Sequence, residues 1–105
     1  MGKYKLNLNQ DAVTDIQEAV DWYEEQKIGL GLEFIDDFDK IAQVLQENPY
    51  LYPKLTDKIR KALMQKFPYA TFYESNEEKA EVEILAILHQ KRDPELLKKR
   101  IKDKK

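Results

Sequence analysis

The chain has 105 residues, 42% hydrophobic and 36% charged, enough for one small core and too few for two. It has no cysteine, which excludes disulfides, thiolate zinc sites and cysteine nucleophiles. Its net charge of −2 argues against a dedicated nucleic-acid binder, yet residues 1–57 hold five lysines against twelve acids while residues 58–105 hold thirteen basic residues against eight.

The first residues, Met1 to Asn7, lack the apolar segment of a signal peptide. The longest apolar run, Ile84 to Leu88, is far too short to span a bilayer. A soluble cytoplasmic protein is expected. Tyr4, Leu6 and Leu8 alternate with Lys5 and Asn7, which predicts a short strand over Lys3–Leu8 at a sheet edge. Asn9 is placed to cap a helix over residues 10–27, whose apolar stripe is Ala12, Ile16, Ala19, Val20 and Tyr23. Trp22 and Tyr23 are expected to bury against the next helix or the sheet. Gly29 and Gly31 permit a reversal.

A second helix, Leu30–Gln46, presents Phe34, Phe38, Ile41, Ala42 and Leu45 on one face, widened by Ile35 and Val44. Glu33, Asp36, Asp37 and Asp39 are read as its solvated outer face, and Asn48-Pro49 ends it. The two helices form an αα-hairpin, about residues 10–47, whose apolar face needs something flat to cover. Ile59, Leu63 and Phe67 predict a strand over Lys58–Lys66. Tyr69–Ser75, rich in aromatic and β-branched residues, reads as the next strand. After the polar turn at residues 76–79 comes Glu81–His89, apolar on both faces from Ile84 and so placed centrally, closing a sheet core over about 58–89. Asp93-Pro94 opens a terminal helix, about residues 93–102. The order β-α-α-β-β-β-α makes this one α+β domain over residues 1–105, an αα-hairpin on a small antiparallel sheet.

Several short patterns meet in this order. Trp22-Tyr23 runs through Gly29-Leu30-Gly31 to Phe34 across the helical junction, and Asn48-Pro49 with Tyr52-Pro53 follows. Arg60-Lys61 precedes Phe67-Pro68-Tyr69, and Ala86-Ile87-Leu88-His89 leads into Arg92-Asp93-Pro94. Together, over residues 3–94, they resemble the RelE/ParE superfamily of type II toxin–antitoxin toxins, and the ParE-like, plasmid-stabilisation branch more than the RelE members. The resemblance implies a growth-inhibiting toxin with a cognate antitoxin that wraps it in a hetero-oligomer. It also implies one of two targets: DNA gyrase, poisoned by binding alone, or messenger RNA, cut on the ribosome.

The two mechanisms ask different things of the residues. RNA cleavage needs a base, an acid and cations for the phosphate, and Arg60, Tyr73, His89 and Arg92 are the candidates. His89 is the only histidine, with an ordinary pKa suited to proton transfer near neutrality. RelE-type nucleases use several Lys/Arg residues and a late tyrosine, and this sequence has no tyrosine after Tyr73. Plainer readings stand beside these: His89 as a hydrogen-bonded structural residue, Arg92 in a local pair with Asp93, and the tyrosines as sheet packing. Whether the chain is an enzyme, an mRNA endoribonuclease, thus stays open. Inhibition of gyrase needs only a binding surface, for which Arg60, Lys61, Arg92, Lys98, Lys99 and Arg100 are the candidates, contacting target or antitoxin. This second reading is favoured. A third, a non-toxic relic that only binds antitoxin, remains. One histidine and no cysteine leave no evident metal set, and no Gly-rich phosphate loop calls for a nucleotide, so no cofactor is expected.

Overall fold

The computed structural model describes residues 3–103. Its elements are β1 (Lys5–Leu8), α1 (Gln10–Gln26), α2 (Leu30–Glu47), β2 (Arg60–Leu63), β3 (Tyr69–Asn76), β4 (Glu81–His89) and α3 (Pro94–Asp103). The α+β class and the element order are those the sequence predicts.

Asn9 caps α1, its side chain accepting the Ala12 amide at 2.8 Å. At the hairpin turn the two glycines serve different ends. Gly29 holds φ at 93°, the left-handed region that side chains disfavour. Gly31 lets the helices touch, because a Cβ there would meet the Val20 carbonyl oxygen at 2.9 Å. The Glu24 carboxylate closes the turn by accepting the amides of Gly29 and Gly31 at 2.9 and 3.0 Å, a favourable place for a negative charge at a helix start.

The four strands lie in the order β1-β4-β3-β2. β2, β3 and β4 are antiparallel neighbours, whereas β1 joins β4 in parallel, Leu6 opposite Val82 and Leu8 opposite Ile84. Alternation along β1 carries no information about neighbour direction, and the long excursion through the hairpin, β2 and β3 supplies the crossover a parallel pair requires. β4 is central, as its apolar run implies. A register shift between Phe72 and Tyr73 leaves Leu85 as the extra residue of β4. Ile84 and Ile87 consequently face one core while Leu85, Ala86 and Leu88 face the other.

The first core lies between the sheet and the hairpin, where Phe34, Leu45, Tyr73, Ile84 and Ile87 are almost completely buried. The second, smaller core joins Ile59, Ala70, Phe72, Leu85, Ala86 and Leu88 under Leu97 and Ile101 of α3.

Several local expectations change. The strand predicted over 58–66 contracts to Arg60–Leu63, because the amides of Gln65, Lys66 and Phe67 turn to the Asp37 carboxylate at 3.3, 2.8 and 3.3 Å instead of a strand neighbour. Asp37, read as solvated, is therefore buried. Ala62 and Met64 take the inward positions, and Leu63 is exposed. Tyr23 stacks on Phe34 as expected, but Trp22 remains 46% exposed, and Ile35 also faces outward.

Candidate functional site

The sequence-predicted residues fall at two ends of β3. At one end, Arg60 on β2 lies opposite Tyr73 on β3. Tyr73 is completely buried and donates its hydroxyl to the Pro49 carbonyl at 2.7 Å. Arg60 donates to the Tyr52 carbonyl at 2.7 Å and, more weakly, to that of Tyr50, with its guanidinium 5.3 Å from the Tyr50 ring centre. Both side chains thus pin the segment that leaves α2. Burial pushes the Tyr73 hydroxyl up to about 12, with Arg60 opposing the shift. A group so placed is a structural donor at neutral pH.

At the other end, His89 lies opposite Tyr69, four residues from Tyr73 and so about 13 Å along the strand. The His89 Nδ1 accepts the amides of Lys91 and Arg92 at 3.1 and 3.2 Å, so the neutral ring carries its proton on Nε2. Burial, then Arg92 and Lys91, hold the His89 pKa below its ordinary value against the pull of Asp93. The Asp93 carboxylate accepts the His89 amide at 3.0 Å and so closes the turn into α3; it does not pair with Arg92. Arg92 instead donates to the Tyr69 hydroxyl at 2.8 Å and lies 5.6 Å from the Trp22 ring centre. The structure therefore brings together Arg60 with Tyr73, and His89 with Tyr69 and Arg92, but not the four candidates on one open face.

The candidate binding set is also divided. Lys61 projects from the sheet face opposite to Arg60, by strand alternation. Lys98 and Lys99 are exposed on α3, Lys98 in a loose 3.7 Å pair with Glu95. Such an exposed pair contributes under about 1 kcal/mol. Arg100 differs, because it grips the buried Asp15 carboxylate through both terminal nitrogens, Nη2 to Oδ1 at 2.7 Å. Asp15 also accepts the Ile87 amide at 3.0 Å, tying α1, β4 and α3 together. That hydrogen bond to Asp15 holds the Arg100 pKa above its ordinary value. No group of three or more His, Cys, Asp or Glu side chains among the described residues could hold a metal ion. No helix among them is long and apolar enough to cross a membrane.

The family described as the ParE toxin of the type II toxin–antitoxin system parDE matches residues 6–94. The chain belongs to the ParE toxin family. Comparison with curated proteins by sequence gives no match. Among solved structures, the fold is similar to a chain of the chromosomal ParDE system from Pseudomonas aeruginosa, with a TM-score of 0.71 at 18% identity, covering 83% of this chain and 96% of that one. It is similar to the toxin RelE of Escherichia coli in its free state, with a TM-score of 0.67 at 16% identity over 98% of both chains. A chain of the RelBE2 toxin–antitoxin complex from Mycobacterium tuberculosis aligns with a TM-score of 0.60 at 16% identity, covering 86% of this chain and 94% of that one.

The family match ends where α3 begins, so Arg100 and the lysines beside it lie outside the matched residues of this ParE toxin, although the similarity to RelE extends over 98% of the chain. Two site-shaping residues escaped the sequence reading. Asp15 sits between Ala12 and Ala19 on the apolar face of α1, and Asp37 between Phe34 and Ile41 on that of α2. A carboxylate inside an apolar stripe was the available signal for both.

Proposed function

We propose that this ParE-family toxin arrests growth by binding DNA gyrase as a protein ligand, and that a cognate antitoxin encoded beside it covers the binding surface. One observation carries the reading: the candidate side chains for RNA cleavage are split between two ends of β3, and most of their polar groups already hold the fold. Tyr73 is buried on Pro49, Arg60 is spent on Tyr50 and Tyr52, and the His89 Nδ1 accepts two turn amides. Proton transfer needs a base within hydrogen-bond reach of the substrate, and no base and acid face one another across an open space here. Binding needs only a shaped surface, and the basic residues of 58–105 around β4 and α3 supply one.

The antitoxin follows from the same charge distribution. The net +5 of residues 58–105 suits an acidic, partly disordered segment that orders as it binds. The named ParDE and RelBE2 systems, each a toxin with its antitoxin, support that pairing. A toxin acting on chromosomal gyrase works in the cytoplasm, and the plasmid-stabilisation role of ParE-like systems would suit it.

A second reading has one observation in its favour. Tyr69, His89 and Arg92 are adjacent, with ring centres of Tyr69 and His89 5.3 Å apart, which is the beginning of a phosphate site for message cleavage. Against it, Tyr69 is 5% exposed and already bonded to Arg92.

Induction of the chain in cells, with DNA and transcripts both examined, separates the readings. Gyrase–DNA cleavage complexes with intact messages are expected. Codon-phased message cuts without gyrase damage would overturn the proposal in favour of the nuclease. Antitoxin binding with no growth effect would leave an inactive relic.

A further inference from the structure

We infer that the cleft bounded by α1, the free end of β4 and α3 is where the toxin grips its target, receiving one apolar side chain of a protein segment whose neighbouring lysine or arginine meets Glu18. The inference deepens the gyrase reading and rests on it. The cleft encloses about 250 Å³, with Ala19, Ile87 and Leu88 as its floor and Trp22, Arg92 and Leu96 among its walls. That is room for a single large side chain and little else.

Three features distinguish it from an ordinary surface dent. The first is an indole left 46% exposed yet contacted from two sides. Trp22 meets Tyr23 edge-on at 5.0 Å and lies under the Arg92 guanidinium, which is itself fixed by the Tyr69 hydroxyl. Contacts already made before binding lower the ordering cost that a partner would otherwise bear. Tryptophan and arginine are also the residues in which binding energy concentrates.

The second feature is the edge of β4. β1 ends opposite Ile84, so residues 85–89 have no strand beside them on that side among the described residues. Their outward amides are nonetheless satisfied, that of Ile87 by Asp15 and that of His89 by Asp93. A partner adding a strand there would find these two donors already taken, and what remains to be filled is the cleft. The third is charge. Of the carboxylates lining the cleft, Asp15 is held by Arg100 and the Ile87 amide, and Asp93 by the His89 amide. Glu18 makes no hydrogen bond or ion pair among the described residues, which leaves one acceptor awaiting a cation from the occupant.

Trp22 is the only tryptophan, so the cleft carries its own reporter. The toxin is prepared with 5-hydroxytryptophan at this position and excited where the tryptophans of gyrase do not absorb. Adding gyrase holoenzyme should shield the label from iodide quenching severalfold. Trp22→Ala and Glu18→Lys should each weaken inhibition of supercoiling about tenfold or more. Val13→Ala, equally exposed on α1 but outside the cleft, should leave it unchanged. Circular dichroism melts confirm folding of each variant, and Glu18→Lys alters only an exposed residue. A label that stays fully quenched in a complex still inhibiting gyrase would overturn the cleft and leave the gyrase reading standing. Shielding by co-purified antitoxin alone would overturn it by assigning the cleft to the antitoxin. Wild-type toxin that neither binds nor inhibits gyrase would overturn the gyrase reading, and this assignment with it.

Discussion

The two faces of the sheet are covered in different ways. On one, α1 and α2 lay two long amphipathic helices over a core that includes Phe34, Leu45, Tyr73 and Ile84. On the other, ten residues of α3 reach down with only Leu97 and Ile101, and a carboxylate–guanidinium pair between Asp15 and Arg100 fastens the helix to the hairpin. The first face is held by apolar area, which is non-directional and tolerant. The second has a smaller apolar core and adds a directional contact to it.

The largest effect should come from breaking that directional contact. Asp15→Ala leaves Arg100 and the Ile87 amide without their acceptor, and removing one partner of a buried pair costs about 3–5 kcal/mol. Urea unfolding measures the loss, and amide exchange in α3 should rise more than in α2. Equal acceleration in both helices would mean that α3 is not separately fastened. Next, Asp37→Ala strands the amides of Gln65, Lys66 and Phe67, for about 3 kcal/mol. Its exchange signature should lie in the β2–β3 connection and spare α3.

Tyr73→Phe is smaller, about 1 kcal/mol at neutral pH for the bond to Pro49. Its pH dependence is the sharper reading. The folded pKa of Tyr73 stands above its ordinary value of 10.0, so its stabilising contribution is complete below pH 10 and fades as pH rises toward about 12. The wild type should therefore lose stability over that interval more steeply than Tyr73→Phe. Smallest, and opposite in sign, is Thr71→Val. The buried Thr71 hydroxyl has no hydrogen-bond partner among the described residues, so the substitution should raise stability by about 1 kcal/mol in the same unfolding experiment.

Much of the fold was legible because its helices obey one period and its strands another. The hairpin stripe from Phe34 to Leu45, the central place of β4 and the element order could all be read from spacing. The parallel direction of β1 could not, since an alternating strand reads identically beside either kind of neighbour. The bulge at Leu85 was visible only as an apolar run on both faces. The site was less legible than the fold. Residue type nominated Arg60, Tyr73, His89 and Arg92, but type does not say whether a hydroxyl ends in solvent or on the Pro49 carbonyl. The same blindness hid Asp37 among surface acids, passed over Asp15, and misjudged Trp22, whose partner is a cation on β4's outgoing turn and not the core.

The central claim is that this toxin acts without proton-transfer chemistry, and His89→Asn tests it most directly. An asparagine Oδ1 can still accept the amides of Lys91 and Arg92, while an amide cannot serve as acid or base near neutrality. Growth arrest on induction is the measurement, with transcripts mapped in the same cells. Undiminished arrest with intact messages is the predicted result. Loss of arrest in a folded variant, alongside message cleavage by the wild type, would contradict the account.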